Sequence, residues 1–281
     1  MTVHSILPEP LTETAQEMFR AADVRHVGHG TEDPVEATAA AAHDIHAVAL
    51  LGPYRSADVA EAVEASAPAG LGLLAPAATW AGITRDDEPG CDEAARHRGT
   101  VLRFVARDTE VARRIAEDLR AADKRALVIA GEHFYGRQLD GQLRLAGLPR
   151  VARLEDADLV VLAGLRGEPE IGLARASAPL PLVAFDGVQG AVLGSREVHL
   201  ALPHAPVDGV PVDRLLAGEV ATRHAATCVI QALAEGAADR TAMLATVRRL
   251  GGFDAHGDLA DPPVWLWRAD DAWRLSPDRP L

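Results

Sequence analysis

Short apolar runs alternate with amphipathic segments along most of this 281-residue chain. Such runs are typical of buried strands, and the segments between them place apolar side chains at helical spacing. The predicted strands are residues 3–7, 24–27, 47–51, 71–74, 101–105, 126–130, 159–163, 182–185, 197–202, 264–268 and 273–275. The predicted helices are residues 12–19, 32–43, 59–67, 108–122, 138–145, 168–176, 213–235 and 239–250. Because strands alternate with helices twice over, we predict an α/β fold with two Rossmann-like lobes, each a parallel sheet with helices on both faces.

Two segments break this alternation. Residues 81–98 are polar and charged, which predicts a surface excursion and not a core element. The last two apolar runs flank a short polar segment that includes Asp270 and Asp271, which predicts a terminal β-hairpin.

The stretch from Gly52 to Thr79 contains two predicted turns with ligand-binding chemistry. One strand leads into Gly52-Pro53-Tyr54-Arg55-Ser56, and the next leads into Pro76-Ala77-Ala78-Thr79. In open α/β sheets, ligands bind at the carboxyl ends of the strands. Backbone N–H groups and the hydroxyls of Ser56 and Thr79 at that edge suit a small anion such as a carboxylate. The alternative for both residues is a structural role, as a helix cap or in the turn itself.

The composition narrows the functional classes. Hydrophobic residues make up 48% of the chain and aromatic residues only 4%, so the buried cores must be mostly Ala, Leu and Val. A formal net charge of -13 argues against sequence-independent binding of nucleic acid and against adsorption to anionic lipid. No apolar run approaches the ~20 residues of a membrane-spanning helix, so we expect no membrane insertion.

No cofactor, metal or catalytic group is predicted. Cys91 and Cys228 are too far apart for a metal motif or a disulfide framework, and His26 and His29 lack the further ligands of a zinc site. The glycines of Gly70-Leu71-Gly72 precede a strand instead of following one, so they form no dinucleotide fingerprint. Phosphate-loop, zinc-protease and nucleophile-elbow motifs are absent from the sequence. We therefore expect a binding protein and not an enzyme.

Motifs that follow successive strands resemble those of one protein family. They are Gly52-Pro53 with Ser56, Pro76-Ala77-Ala78-Thr79, Tyr135-Gly136, Phe185-Asp186-Gly187, Phe253-Asp254 and Gly257-Asp258-Leu259. Their order and spacing resemble the type I periplasmic-binding-protein fold over nearly the whole chain. The closer resemblance is to the branched-chain amino-acid (Leu/Ile/Val) binding proteins of ABC transporters and to cytoplasmic amide sensors of the same fold. The chain departs from the family in a shorter amino-terminal region and in Gly164-Leu165-Arg166, where the family has a second cleft aromatic.

The resemblance implies two lobes that close on a hinge around a small ligand. The predicted bounds are residues 1–103 with 208–252 for lobe 1 and residues 104–207 with 253–281 for lobe 2, with the ligand cleft between them. Ser56, Ala77 and Thr79 would hold the carboxylate of a bound amino acid. Asp186 of the other lobe would meet the ammonium group, and Tyr135 would line the cleft.

Tyr54 and Arg55 are further candidate ligand contacts. Tyr54 and Tyr135 are the only two tyrosines, and both fall at predicted carboxyl-end turns, where the polar tip of a phenol is useful. Arg55 could pair with a carboxylate through two hydrogen bonds or could be an ordinary surface residue. The carboxylate of Asp186 could also bond turn amides instead of a ligand.

The sequence therefore predicts a solute-binding protein for an amino acid or amide, with an ABC permease or a regulatory protein as its partner. Two alternatives stay open: a cytoplasmic sensor of the amide-sensor type, and a degenerate binding protein recruited to a pathway. The amino terminus lacks the positive and apolar regions of a secretory signal. We expect a cytoplasmic location, or a periplasmic or extracellular one if a signal has been removed.

Overall fold

In a computed structural model the chain forms two compact units, each built from two segments of chain. Unit 1 comprises Met1–Ala106 and Leu216–Pro262, and unit 2 comprises Arg107–Leu215 and Pro263–Leu281. The structure describes residues 1–85, 99–164, 169–177, 179–185, 197–203, 218–270 and 275–281.

Strands and α-helices alternate through the described residues and are numbered in chain order. The strands are β1 (Thr2–Ile6), β2 (Arg25–His29), β3 (Ala47–Leu51), β4 (Gly72–Ala75), β5 (Val101–Arg103), β6 (Ala126–Ala130), β7 (Arg150–Val151), β8 (Leu159–Ala163), β9 (Leu182–Phe185), β10 (Val198–Leu202), β11 (Trp265–Ala269) and β12 (Leu275–Pro280). The helices are α1 (Glu9–Ala21), α2 (Pro34–His43), α3 (Ser56–Ser66), α4 (Asp108–Ala121), α5 (Phe134–Leu145), α6 (Glu170–Ala176), α7 (Glu219–Ala234) and α8 (Arg240–Gly251).

Unit 1 is built on a five-stranded parallel sheet of order β2-β1-β3-β4-β5. Every residue of β3 is buried, as expected for a parallel strand covered on both faces. One apolar cluster contains Phe19 of α1 and Val229 of α7, and a second contains Val59 and Val63 of α3. Because all five strands run in the same direction, their carboxyl ends meet at one edge, where the turns after β3 and β4 begin.

Unit 2 is built on a seven-stranded sheet of order β12-β11-β10-β9-β8-β6-β7. The pairs from β7 to β10 are parallel, whereas β11 pairs antiparallel with β10 and β12. The antiparallel pair β11–β12 is the predicted terminal hairpin. The two parallel-dominated sheets confirm the predicted α/β class.

The division of the chain differs from the predicted lobe bounds. The sequence assigns residues 104–106 and 253–262 to lobe 2, but they belong to unit 1. The ring of Phe253 packs edge-on against Phe104, with centroids 4.8 Å apart, and the backbone N–H of Arg103 donates to the Gly257 carbonyl at 2.8 Å. These contacts join the second chain segment to the end of β5, and sequence order alone does not reveal them.

Three element predictions are also corrected. Helix α5 starts at Phe134 and not at residue 138, because Gly136 lets its first turn pack closely on the Gly131 backbone. Residues 81–84, predicted to be exposed, are buried, since the Thr84 hydroxyl donates to the buried carboxylate of Asp258. The rest of that segment, residues 86–98, lies outside the described residues. The helix predicted over residues 213–235 is seen as Glu219–Ala234, and residues 213–217 are not among the described residues.

Candidate functional site

The turns after β3 and β4 lie side by side at the carboxyl edge of the unit 1 sheet. Leu51 is the register partner of Leu74, and the N–H of Gly52 donates to the Leu74 carbonyl at 2.8 Å. Gly52 has φ +98°, and a Cβ there would lie 2.4 Å from the Ile6 carbonyl oxygen. Only glycine fits this backbone without strain, so Gly52 determines the backbone direction of the turn that follows β3.

Ser56 links the two turns. It is the first residue of α3, and its Oγ accepts a hydrogen bond from the backbone N–H of Trp80 at 3.2 Å. Arg55 occupies the cap position of the helix and makes no side-chain cap hydrogen bond. The capping role considered for Ser56 is therefore not what the structure shows, and the hydroxyl instead joins the Gly52 turn to the Pro76 turn.

The Pro76 turn has hydrogen-bond donors for which the described residues provide no acceptor. Ala78 is buried and Thr79 is 7% exposed. Among the described residues, the backbone N–H groups of Ala77, Ala78 and Thr79 and the Thr79 hydroxyl have no hydrogen-bond acceptor. Buried donors normally have partners, so a turn with several uncommitted donors suits an oxygen-bearing ligand.

A buried arginine supports this turn from behind. Arg103, at the end of β5, is 1% exposed. Its guanidinium donates to the Thr79 carbonyl at 2.9 Å and to Thr84 Oγ1 at 2.7 Å, and its Nε lies 3.1 Å from Asp258 Oδ1. The Thr84 hydroxyl in turn donates to Asp258 at 2.8 Å. Arg85 adds a second guanidinium to the same carboxylate, at 3.0 Å.

Tyr54 and Arg55 occupy different environments in the first turn. Tyr54 is partly buried and packs against the apolar cluster of α1 and α7. A Cβ placed on Gly218 would lie 3.3 Å from Tyr54 Cε2 and 3.2 Å from Ala77 Cβ, so this tyrosine lies beside the Pro76 turn. Arg55 is exposed. Burial raises the pKa of the neighbouring Asp58, and the positive charge of Arg55 opposes that rise.

The predicted residues of the second lobe are only partly described. Tyr135 lies in the first turn of α5 in unit 2, follows β6, and is partly exposed. The adjacent Phe134 is 62% exposed, so the turn presents an aromatic pair to the surface of unit 2. Asp186 lies outside the described residues, and its predicted contact with an ammonium group stays a prediction.

A histidine cluster that the sequence did not reveal lies on β1 and the edge strand β2 of the unit 1 sheet. His4 Nδ1 is 2.8 Å from His29 Nε2, and His4 Nε2 is 3.0 Å from Asp44 Oδ2. The His4 and His29 rings stack with centroids 5.1 Å apart. His26 Nε2 lies 3.0 Å from Ser5 Oγ. The cluster could have been predicted from the pairing of β1 with β2. That pairing brings His4 beside His26 and His29 of β2.

The surroundings of His26 and His29 favour the neutral form of both imidazoles. Burial, and then the charges of His4 and His29, lower the pKa of His26 from 6.5 to about 4. Burial and the charge of His4 also lower the pKa of His29. Hydrogen bonds from the His46 backbone and the His4 ring lower the pKa of Asp44. In the described part of the chain, no group of three or more His, Cys, Asp or Glu is arranged to hold a metal ion.

A cavity of about 310 Å³ lies within unit 2, away from the predicted site residues. Its lining includes Leu159 at the amino end of β8, Val183 of β9 and His199 of β10. His199 lies between two carboxylates, at 3.1 Å from Glu197 and 3.4 Å from Asp278. The carboxyl ends of the strands, where the sequence places the ligand, are not part of this lining.

None of the helices in the described ranges is long and apolar enough to span a bilayer.

Solved structures match the chain over nearly its full length, although no family model and no curated protein matches its sequence. A branched-chain amino-acid ABC transporter periplasmic ligand-binding protein from Burkholderia xenovorans is 14% identical, with a TM-score of 0.76 over 100% of this chain and 94% of that chain. An ABC transporter substrate-binding protein from Desulfitobacterium hafniense in complex with Leu is 17% identical, with a TM-score of 0.72 over 99% of both chains. A solute-binding protein from R. palustris in complex with 4-hydroxybenzoate is 11% identical, with a TM-score of 0.66 over 100% of this chain and 96% of that chain. The chain therefore has the type I periplasmic-binding-protein fold that its sequence motifs resemble.

Proposed function

We propose that this protein is a solute-binding protein that takes a small polar ligand, an amino acid or an amide, at the turns after β3 and β4. The uncommitted donors of the Pro76 turn carry this proposal. The N–H groups of Ala77, Ala78 and Thr79 lie beside the Ser56 hydroxyl, which accepts from Trp80 and donates to no described residue. A set of donors with no acceptor favours a ligand group that is rich in lone pairs, such as a carboxylate or an amide oxygen.

The ligands of two proteins with this fold support a carboxylate at this site. One structure holds leucine and the other holds 4-hydroxybenzoate. The two molecules differ in shape, and only leucine carries an ammonium group, but both carry a carboxylate. A turn that binds the carboxylate would serve either of them, and specificity would then come from residues that contact the rest of the ligand.

Tyr135 and Asp186 are the contacts that we propose from unit 2. The phenol of Tyr135 offers an apolar wall with a polar tip. The Asp186 carboxylate would pair with an ammonium group, so it would matter for an amino acid and not for an amide without a charge. In unit 1 we propose Tyr54 as a wall beside Ala77 and Arg55 as a surface residue near the carboxylate end. The protein would deliver its ligand to an ABC permease or report it to a regulatory protein.

Thermal melting with a panel of amino acids, primary amides and aromatic carboxylates tests this proposal. A ligand that binds only the folded state at 100 times its Kd stabilises the protein by about 2.7 kcal/mol. In a chain of this size that corresponds to a rise in Tm of roughly 5 °C or more. Thr79→Val should abolish the rise, and Thr38→Val, whose hydroxyl bonds the Pro34 carbonyl within α2, should leave it intact. A panel in which no compound moves the Tm would contradict the proposal.

The Asp186→Asn variant separates the two ligand classes. It should weaken an amino acid that binds as a zwitterion and leave an uncharged amide unaffected. Undiminished binding of the zwitterion would show that Asp186 does not meet the ammonium group.

A further inference from the structure

The peptide group between Thr79 and Trp80 is hydrogen-bonded at both of its ends. Its carbonyl accepts from Arg103 Nη1 at 2.9 Å, and its N–H donates to Ser56 Oγ at 3.2 Å. These bonds fix the orientation of one peptide plane in the middle of the proposed carboxylate site. Other peptide groups of the turn do not carry such a pair of side-chain partners among the described residues.

The Arg103 side chain has little freedom to move away from this peptide. It is 1% exposed, its Nη2 donates to Thr84 Oγ1, and its Nε lies 3.1 Å from Asp258 Oδ1 in an ion pair. The planar guanidinium presents its donors in a rigid fork, so holding two of them in place also fixes the third. Asp258 balances the charge, and Arg85 and the backbone of Gly257 hold that acidic segment against β5. The charge is therefore buried without being left unpaired.

The direction of these hydrogen bonds determines what Ser56 can do. A serine hydroxyl has one proton and two lone pairs. One lone pair of Ser56 accepts the Trp80 N–H, and the proton has no acceptor within the described residues. Ser56 is partly exposed, so this proton can reach a molecule outside the turn. Hydrogen bonds in such a chain polarise one another, and a hydroxyl that accepts a bond becomes a better donor.

We propose that Arg103 is a positioning residue that acts through the Thr79–Trp80 peptide and makes Ser56 a directed hydrogen-bond donor to a ligand oxygen. The guanidinium donates to the carbonyl, the N–H of the same peptide donates to Ser56, and the Ser56 hydroxyl donates to the ligand. Every bond in the series points toward the ligand, so the atom bound there must be an acceptor. The inference rests on the proposed function and deepens it, since the series selects a carboxylate or amide oxygen and rejects an ammonium group.

Amide hydrogen exchange at Trp80, measured by NMR, tests the series without any ligand. Ser56→Ala removes the acceptor and should speed exchange of the Trp80 N–H about fivefold to tenfold, the equivalent of one ordinary hydrogen bond. Arg103→Lys keeps the charge and loses the fork, and it should also speed this exchange. Ser66→Ala is the matched control at the other end of α3, where the hydroxyl bonds the Val63 carbonyl, and should leave Trp80 unchanged.

A second variant covers the case in which Arg103→Lys prevents folding. Thr84→Val removes the oxygen that accepts from Arg103 Nη2 and keeps the shape of the side chain. It should change Trp80 exchange in the same direction as Arg103→Lys and by a smaller factor. If Trp80 exchange is unaffected by Ser56→Ala and by whichever guanidinium variant folds, the series does not exist.

Titration with L-leucine and with 4-hydroxybenzoate then connects the series to binding. Ser56→Ala and the guanidinium variant should raise the Kd of either compound by roughly tenfold, while Ser66→Ala should not change it. If the variants speed amide exchange at Trp80 but leave the Kd values unchanged, Arg103 supports only the fold and the inference is wrong. If the wild-type protein binds none of the amino acids, amides and carboxylates in the melting panel, the proposed function fails and with it the inference about the ligand, whereas unchanged Trp80 exchange overturns the inference alone.

Discussion

Gly136 and Gly141 share helix α5 but meet very different surroundings. A Cβ on Gly136 would lie 2.6 Å from the Gly131 carbonyl oxygen and 2.7 Å from Gly131 Cα. A Cβ on Gly141 would meet nothing within 4 Å. The backbone of Gly131 cannot yield as a flexible side chain can, so Gly136 determines where α5 begins and hence where Tyr135 is placed.

Alanine substitutions at these two glycines should have opposite effects on stability. Gly136→Ala should lower the free energy of unfolding by about 1–3 kcal/mol, as overpacking in a well-packed region does. Gly141→Ala should raise it by up to about 1 kcal/mol, because alanine favours the helix interior. Urea unfolding of both variants measures the difference. Equal effects would mean that the approach of α5 to Gly131 is looser than the structure shows.

At the residue scale, the sequence predicted Ser56, Ala77 and Thr79 from turn position and resemblance, and the structure places them in adjoining turns. It could not predict Arg103. An arginine inside the apolar run 101–105 is normally expected to face solvent, and its partner Asp258 lies far along the chain. The pairing depends on how β5 meets the segment after α8, which is a property of tertiary structure and not of local pattern.

At the scale of elements, the histidine cluster joins β1, β2 and the residue after α2. His4 contacts Asp44 and His29 on one side of the sheet, while Ser5 and the stacked ring of Phe19 contact His26 on the other. If His4 and His29 were both doubly protonated, two donors would face each other across 2.8 Å. The hydrogen bond between the His4 and His29 rings therefore requires at least one of the two rings to be neutral.

Acidification should weaken unit 1 through this cluster. The folded-state pKa of His26 is about 4, below the ordinary histidine pKa of 6.5, and the folded-state pKa of His29 is also lowered. The unfolded state thus binds more protons, so the stabilisation is complete above pH 6.5 and is lost as the pH falls toward 4. One fully effective histidine changes the stability by up to about 1.4 kcal/mol per pH unit, and partial exposure reduces this amount.

The pH dependence of urea unfolding checks this expectation. His26→Gln should flatten the curve between pH 6.5 and pH 4, because the variant removes one of the linked protons. His43→Gln is the control, since His43 is exposed on α2. If the wild type and His26→Gln lose stability in parallel, acid sensitivity arises elsewhere, for example at His224, whose pKa is also lowered by desolvation.

Element boundaries were harder to predict than element types. Alternating apolar runs identified the strands of both sheets except the two-residue β7, whose Arg150 and Val151 form no apolar run. The polar character of residues 81–98 hid the buried turn Ala81–Ile83. That turn is buried because Thr84 and Arg85 reach the carboxylate of Asp258. Polar residues that pair with one another in the interior give the same sequence pattern as polar residues in solvent.

At the scale of the whole molecule, each unit is completed by a second segment of chain. The sequence predicted this arrangement only through resemblance, and its lobe bounds differ from the units at residues 253–262. In unit 1, α7 and α8 contribute Ala225, Val229 and Val247 to the same apolar cluster as Phe19 and Leu51. A sheet that is covered on one face by a later chain segment cannot be stable without that segment.

Unit 1 should therefore fold when its two segments are expressed as one chain. Residues 1–106 joined to residues 216–262 by a flexible Gly/Ser linker contain the complete five-stranded sheet, and Arg103 pairs with Asp258 across the two segments. This protein should show a near-UV circular dichroism spectrum and one cooperative urea transition. Residues 1–106 alone should show neither, because the apolar face against α7 and α8 would be open to water. The packing of α7 and α8 on this sheet indicates that the sheet needs them for its stability. A cooperative transition in residues 1–106 alone, or no cooperative transition in the linked protein, would contradict that dependence.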